Sequence, residues 1–312
     1  MDRTYTVIME RRGTWCAIIS GLLYGLLGYF GVSLMNSGFS AFNAAFWRFF
    51  TSTLFLTLVI LAKGNKKAGT LRQWLLVFAN GGIFYGAPGI LFFLASQYIA
   101  TGQAMVIFFI FPAFVMLLNR IFLKQPIKVH YLLSFLLILL GLIMLVDINE
   151  MRFNLIGMCL CSLSALSYAI YIFVSKNELK SMPALPSSLL VSLGCMCTTG
   201  AVALIDGSFV LPNEFDQWFN VLGLGIICSA LPILLLFEAL EHISSDKASL
   251  LSVLEPVFVV IFGVILLGEV LTIASLFGII LVLIGAMMVT IKIKLPDLFK
   301  PKRTSSEQIS DG

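Results

Sequence analysis

Charge is the scarcest property of this chain. Asp, Glu, Lys and Arg make up 12% of 312 residues against 59% hydrophobic, and the mean hydropathy is +1.01. So little charge excludes a soluble domain and places the chain in the membrane class. Histidine occurs only as His130 and His242, both near the ends of apolar runs. With no Ser/His, Cys/His or clustered acid/base set inside those runs, a membrane-embedded enzyme is not expected. The Gly-x-x-x-x-Gly-Lys-Ser/Thr loop is missing, so ATP is not the driver within this chain. The six cysteines (Cys16, Cys159, Cys161, Cys195, Cys197, Cys228) all fall in apolar stretches and read as small hydrophobes. Cys159 and Cys161, like Cys195 and Cys197, lie two apart and point to different helix faces. No metal, cofactor or disulfide is expected, and no nucleic-acid partner.

What is abundant is the long apolar run. A helix crossing ~30 Å of hydrocarbon needs roughly 20 apolar residues. Such stretches occur at 14–35, 40–62, 72–97, 101–122, 130–147, 154–175, 186–205, 217–240, 247–267 and 271–291, which predicts ten spans. The first follows Arg11 and Arg12, but its apolar part exceeds the ~7–15 residues of a signal peptide and no small-x-small site follows it. It is read as a membrane helix.

The five spans recur at a constant offset of 144 residues. Gly13 recurs as Gly157, Ser20 as Ser164, Tyr24 as Tyr168, Gln73 and Trp74 as Gln217 and Trp218, and Pro88 as Pro232. Farther on, Ala95 matches Ala239, Ala104 matches Ala248, Pro112 matches Pro256 and Gly141 matches Gly285. An odd number of spans per copy puts the second copy upside down in the bilayer, the inverted repeat of many secondary transporters. The expected organisation is a cytoplasmic N-terminus (1–13), a first repeat (14–147), a second repeat (154–291) and a basic, Ser-rich cytoplasmic tail (292–312).

Cationic residues sort by loop. With the N-terminus inside, 18 of the 20 lysines and arginines fall on the cytoplasmic side, leaving Arg152 outside and Arg48 within a span. Equivalent loops of an inverted pair should lose their positive charge, and Arg72 does map to Asp216, Lys63 to Gly207 and Lys67 to Leu211.

These residues resemble the EamA family of the drug/metabolite transporter (DMT) superfamily over about 13–291. The residues that carry the resemblance are Phe46, Trp47, Arg48 and Phe49 in the second span, and Leu94 and Ala95 closing the third. Ile110, Phe111 and Pro112 add to it in the fourth, as does the ninth from Leu254, Glu255 and Pro256 to Leu267, Gly268 and Glu269. Where the family carries a Gly-Glu-like pair after the fourth span, this chain has Lys124 and Gln125, so a symmetric role for that glutamate is not carried over. The resemblance implies a ten-helix carrier with the fifth and tenth spans peripheral, and export as the commoner direction.

Polar groups deep in a bilayer are costly unless paired or facing a cavity, so they mark candidate sites. Tyr24 and Tyr168 lie about ten residues into their spans, near the midplane by a rise of ~1.5 Å per residue. With Ser20, Ser164 and Tyr171 they form stripes that either line a cavity or pack helices closely. Glu255, just before Pro256 and near Ser252, is either a proton carrier, a counter-ion for an amine-bearing solute, or permanent hydrogen-bonding glue; its mate is Phe111. Arg48, whose mate is Ser192, either grips a substrate carboxylate or ties helices through carbonyls, and the resemblance favours the structural role. Asn80, Tyr85 and Gln103 are candidates for the cavity wall. Pro88, Pro232, Pro112 and Pro256 are candidate hinges. Glu238, Glu241 and His242 read as interfacial rather than as a gate, and Glu269 as structural.

The expectation is an all-α integral membrane protein of ten transmembrane helices in two inverted five-helix repeats, in the cell inner (plasma) membrane with both termini cytoplasmic. It would be a secondary active transporter moving a small polar or zwitterionic metabolite, such as an amino acid, by alternating access in export or exchange. The alternatives are a proton-independent exchanger or uptake carrier of a nucleoside-like metabolite such as S-adenosylmethionine, and a channel or lipid-handling protein. Its partners would be the solute and the lipid bilayer, with a homodimer left open.

Overall fold

The computed structural model describes residues 3–64, 69–146, 151–177, 182–268, 270–290 and 297–298. Glu269, Lys66, Lys67, Lys180 and the tail 292–312, apart from residues 297 and 298, lie outside the described residues. Among the described residues nine helices are long and apolar enough to cross a membrane. They are α1 (Tyr5–Asn36), α2 (Ala41–Lys63), α3 (Leu71–Ser96), α4 (Thr101–Phe122), α6 (Leu155–Asn177), α7 (Ala184–Ile205), α8 (Phe215–His242), α9 (Ser245–Leu267) and α10 (Ile273–Thr290). Between α4 and α6 lies α5 (Val129–Met144), apolar but 16 residues long. That is about 24 Å of helix, short of the ~30 Å hydrocarbon core. Two residues on each side form a small antiparallel pair, β1 (Ile127–Lys128) with β2 (Asp297–Leu298).

The helix ends are set by local chemistry that repeats along the chain. Thr70 and Gln73 form a capping box at the start of α3, and Glu214 and Gln217, 144 residues on, do the same for α8. Helix α9 ends on Gly268 in the left-handed region at φ +70°, where glycine has no steric penalty. Lys124, at the equivalent place after α4, takes the same conformation at φ +54° despite its side chain.

Each half breaks its helices in the same places. Residues Asn80–Tyr85 of α3 and Gly223–Ala230 of α8 wind as π-helix, just ahead of Pro88 and Pro232. A proline leaves the carbonyl four residues back without its donor. Both freed carbonyls find one elsewhere: Ser167 Oγ donates to Phe84 O at 3.4 Å, and Arg48 Nη2 to Cys228 O at 3.2 Å. The prolines' own carbonyls accept too, Pro88 O from Ser164 Oγ and Pro232 O from Ser20 Oγ, each at 2.8 Å. These last two bonds are one another's images at the 144-residue offset. Helices α4 and α9 are interrupted at Phe109 and Ile110, and at Val253 and Leu254. Their second halves start at Phe111 and Glu255, with Pro112 and Pro256 in the first turn, where a missing N–H costs nothing.

Packing follows the same register. Helices α5 and α10 touch backbone to backbone: a Cβ at Gly141 would lie 2.7 Å from Gly278 O, and one at Gly285 2.7 Å from Ile138 Cγ1. Gly285 is the mate of Gly141, and Gly278 that of Ser134, the residue whose carbonyl Gly285 faces. Inside the bundle, α2 lies along α7, α1 along α8, and α3 along α6. The buried core through the centre is aromatic, with Tyr24, Phe49, Phe109, Phe111, Tyr168 and Tyr171 in one cluster.

Candidate functional site

A cavity of about 200 Å³ lies where the two halves meet. Its floor is the broken middle of the bundle: Tyr24 from α1, Arg48 and Phe49 from α2, Tyr85 from the π-wound turn of α3, Phe108 and Phe111 from either side of the α4 break, Tyr168 from α6, and Ser252 and Glu255 from either side of the α9 break. Its walls rise between α2 (Ala41, Phe42, Ala45) and α3 (Gly86, Gly89, Ile90, Phe93), toward the end of the bundle that carries residues 37–40. The small residues on both helices leave the space, and the Phe42 and Phe93 rings meet across its mouth at 4.9 Å.

The floor is a tyrosine lattice. Tyr24 and Tyr85 share a hydroxyl–hydroxyl hydrogen bond of 2.7 Å. Tyr85 packs 5.7 Å from the Tyr168 ring and 4.7 Å from Tyr171, while Phe111 meets Tyr168 edge-on at 4.8 Å. Contacts of this geometry fix ring orientation and each add about 0.5–1.5 kcal/mol beyond burial.

Two opposite charges look into this space. Arg48 donates from Nε to Ser229 Oγ and from Nη2 to Cys228 O, with its guanidinium 5.0 Å from the Phe49 ring and 5.9 Å from Tyr24. Placing arginine at this depth costs roughly 2.5–3.5 kcal/mol. Two hydrogen bonds from a charged donor are worth about 1.5–3 kcal/mol each. The pair to α8 therefore offsets the insertion cost without a carboxylate. Glu255 opens the second half of α9, where the positive end of the half-helix favours an anion. It makes no hydrogen bond among the described residues and is not in ion-pair contact with Arg48. Both side chains thus remain available to a bound molecule.

The structure brings together Tyr24, Arg48, Tyr85, Pro88, Tyr168, Ser252 and Glu255 in this one lining. Tyr171 lies directly beneath it, fully buried, its ring 4.7 Å from that of Tyr85. Asn80 is off the cavity, donating to Tyr171 O at 3.3 Å and Ser175 Oγ at 3.0 Å. Gln103 is away from it as well, accepting from Arg152 N at 3.0 Å in an exposed turn. Pro112, Pro232 and Pro256 are buried beside the helix breaks. Sequence reasoning missed Phe42, Phe93, Phe108, Phe111 and Thr199, because one phenylalanine among 27 in apolar runs carries no polar signal. A usable signal did exist: Phe108 and Phe111 are the 144-residue mates of Ser252 and Glu255.

At the opposite end of the bundle, which carries the N-terminus, the cavity does not emerge and polar contacts tie the helices together. Arg12 pairs with Glu238 at 2.6 Å, Lys247 with Glu10 at 3.2 Å, and Lys176 donates to Leu240 O.

Membrane-length helices folded around a central, largely aromatic cavity that holds an arginine and a glutamate are the frame of a polytopic membrane protein with an internal binding site. The model of the EamA-like transporter family matches residues 11–147 and again 155–291, and the chain belongs to that family, within the drug/metabolite transporter superfamily. An uncharacterized transporter of Archaeoglobus fulgidus is 26% identical over 279 residues, covering 89% of this chain and 96% of the relative. The uncharacterized transporter YxxF of Bacillus subtilis is 23% identical, covering 88% of each. The pseudopaline exporter CntI of Pseudomonas aeruginosa is 23% identical over 276 residues, covering 86% of this chain and 95% of its own length. A solved crystal structure superposes with a TM-score of 0.78 at 16% identity, over 89% of this chain and 96% of that one, which shows a shared fold.

Proposed function

We propose that this protein is a secondary carrier in the plasma membrane that moves a small zwitterionic metabolite of amino-acid size by alternating access. The observation that carries the reading is the pair Arg48 and Glu255: opposite charges on one cavity wall, not neutralising each other. A carboxylate on the guanidinium and an ammonium on Glu255 would complete both, with the solute's apolar part against Phe108, Phe111 and Tyr168. A cavity near 200 Å³ is below the ~300–1,000 Å³ of drug-sized sites, which favours an amino acid over a nucleoside-like solute. The closed end supports a carrier over a pore. The name of CntI, an exporter, supports outward transport.

In this reading α5 crosses the bilayer as the fifth of ten spans, packed against α10, and the halves are inverted copies with both termini cytoplasmic. The doubled family match and the reciprocal bonds Ser20 to Pro232 and Ser164 to Pro88 support that arrangement. Glu255 then serves as the coupling group, exchanging a proton for the solute's ammonium.

The test is counterflow in proteoliposomes loaded with each of a panel of amino acids. Saturable exchange of labelled solute against internal solute is expected for at least one zwitterion and not for its amide or decarboxylated analogue. Non-saturating flux would mark a pore, and equal transport of the amide would remove Arg48 from substrate recognition.

A further inference from the structure

The cavity opens at one end because α2 and α3 stand apart there, meeting through the ring contacts of Phe42 with Phe93 and Phe49 with Tyr85. At the 144-residue offset their mates are α7 and α8, which line the same route toward the N-terminal end. There the route is filled. Ala41 and Ala45 become Leu185 and Leu189, and Gly86 and Gly89 become Ala230 and Ile233. Leu185 and Ala230 are buried together with Leu56, and Leu189 and Leu234 pack on them.

Among the described residues one polar bond crosses this seam. Glu241, in the last turn of α8, accepts from Ala184 N at 3.1 Å, the N–H that opens α7. A carboxylate on a free N–H of a helix's first turn is a favourable cap. Its mates are Gln97, which is exposed, and Ser40, which bonds to Ser208 instead, so among the described residues the open end shows no such tie. Other contacts at this rim, Arg12 to Glu238 and Lys176 to Leu240 O, join α8 to α1 and α6 and leave the α7–α8 seam alone. Beneath the seam lies the fully buried Tyr171, its ring edge-on to Phe237 of α8. Its mate, Leu27, lines the open cavity.

We propose that Glu241 is the latch of a second gate. When its carboxylate releases Ala184 N, α7 and α8 part between Leu189 and Leu234. The binding cavity then opens to the side carrying the N-terminus, with Tyr171 in its wall. The proposal rests on the inverted-halves reading of the proposed function. It also changes the role of Glu241 from interfacial anchor to moving part.

The test uses full-length protein with its six cysteines replaced, shown to retain counterflow, carrying Leu189→Cys or Ala45→Cys in oriented vesicles. A membrane-impermeant maleimide is applied to each side. Ala45→Cys should react from the side of residue 152, and Leu189→Cys slowly from the other. Adding Glu241→Ala should speed Leu189→Cys on the order of tenfold, the weight of one charge-assisted hydrogen bond, and slow Ala45→Cys. Glu241→Gln, which keeps an acceptor, should lie between. A Cys pair at 184 and 241, oxidised, should stop both the reaction at 189 and transport, and a reductant should restore them. Unchanged rates at 189 in folded Glu241→Ala, or transport through the cross-linked protein, would overturn the latch and leave the inverted halves standing. Reaction of Ala45→Cys and Leu189→Cys from the same side would bring down the inverted halves, and the latch with them.

Discussion

At the scale of single residues, Glu255 and Arg48 divide the electrostatics of the cavity unequally. Arg48 is anchored through Nε by Ser229 and through Nη2 by the carbonyl that Pro232 releases, so its charge is fixed in place with Nη1 left for a solute. Glu255 has no such partner and is the group whose charge is free to change with load. Glu255→Gln keeps the shape and removes the charge. It should abolish gradient-driven transport, leave exchange measurable, and weaken apparent affinity for an amine-bearing solute by about 10–150-fold, the equivalent of ~1.5–3 kcal/mol for a charged hydrogen bond. Transport rates of the purified variant across pH 5–8 check this, and a pH profile like the parent's would end the coupling role. The position of Glu255 was legible in the sequence because a lone carboxylate in an apolar run stands out. The partner of Arg48 was not, because it is a backbone carbonyl freed by a proline 184 residues away.

At the scale of elements, the breaks in α3, α4, α8 and α9 shape the floor, and all four sit beside a proline the sequence displays. The prolines announced where carbonyls would be released. They did not announce π-winding, which depends on Gly81 and Gly82 lying against the α7 backbone and Gly225 against α2. One element departs from its copy at a cost. Lys124 holds the left-handed conformation that Gly268 holds at the equivalent turn, and a side chain there is disfavoured by about 1–2 kcal/mol. Lys124→Gly should therefore stabilise the fold by about 1 kcal/mol, less the entropy glycine adds to the unfolded chain. Thermal unfolding in detergent would show a small rise in Tm. A fall would mean that the lysine side chain contributes more than its backbone strain removes.

At the scale of the molecule, composition and the 144-residue register were enough to predict a helical membrane protein, and nine of the helices found lie close to predicted spans. Less legible was α5, whose apolar stretch reads as 18 residues to 147 but whose helix closes at Met144, where Leu145 and Val146 turn back with bonds to Leu142 O and Ile143 O. The phenylalanine walls were invisible for the opposite reason: they look like every other lipid-facing position until the helices are placed. What the arrangement as a whole demands is a strict sidedness. If the halves are inverted, the turn at Arg152 and the loop at residue 65 must face opposite compartments, since an odd number of crossings, α3, α4 and α5, separates them. Nine crossings and ten give different answers at these two points, so the fate of the short α5 decides the outcome. Counted as a span, α5 puts residue 152 outside and residue 65 inside; counted as a helix that dips and returns, it puts residue 152 inside with the N-terminus. Single cysteines at 65 and 152, in the protein with its native cysteines replaced, should react with an impermeant reagent from opposite sides of the same vesicle. Labelling of both from one side would leave the second half upright, and a central cavity could not then be served by one mirrored pair of gates.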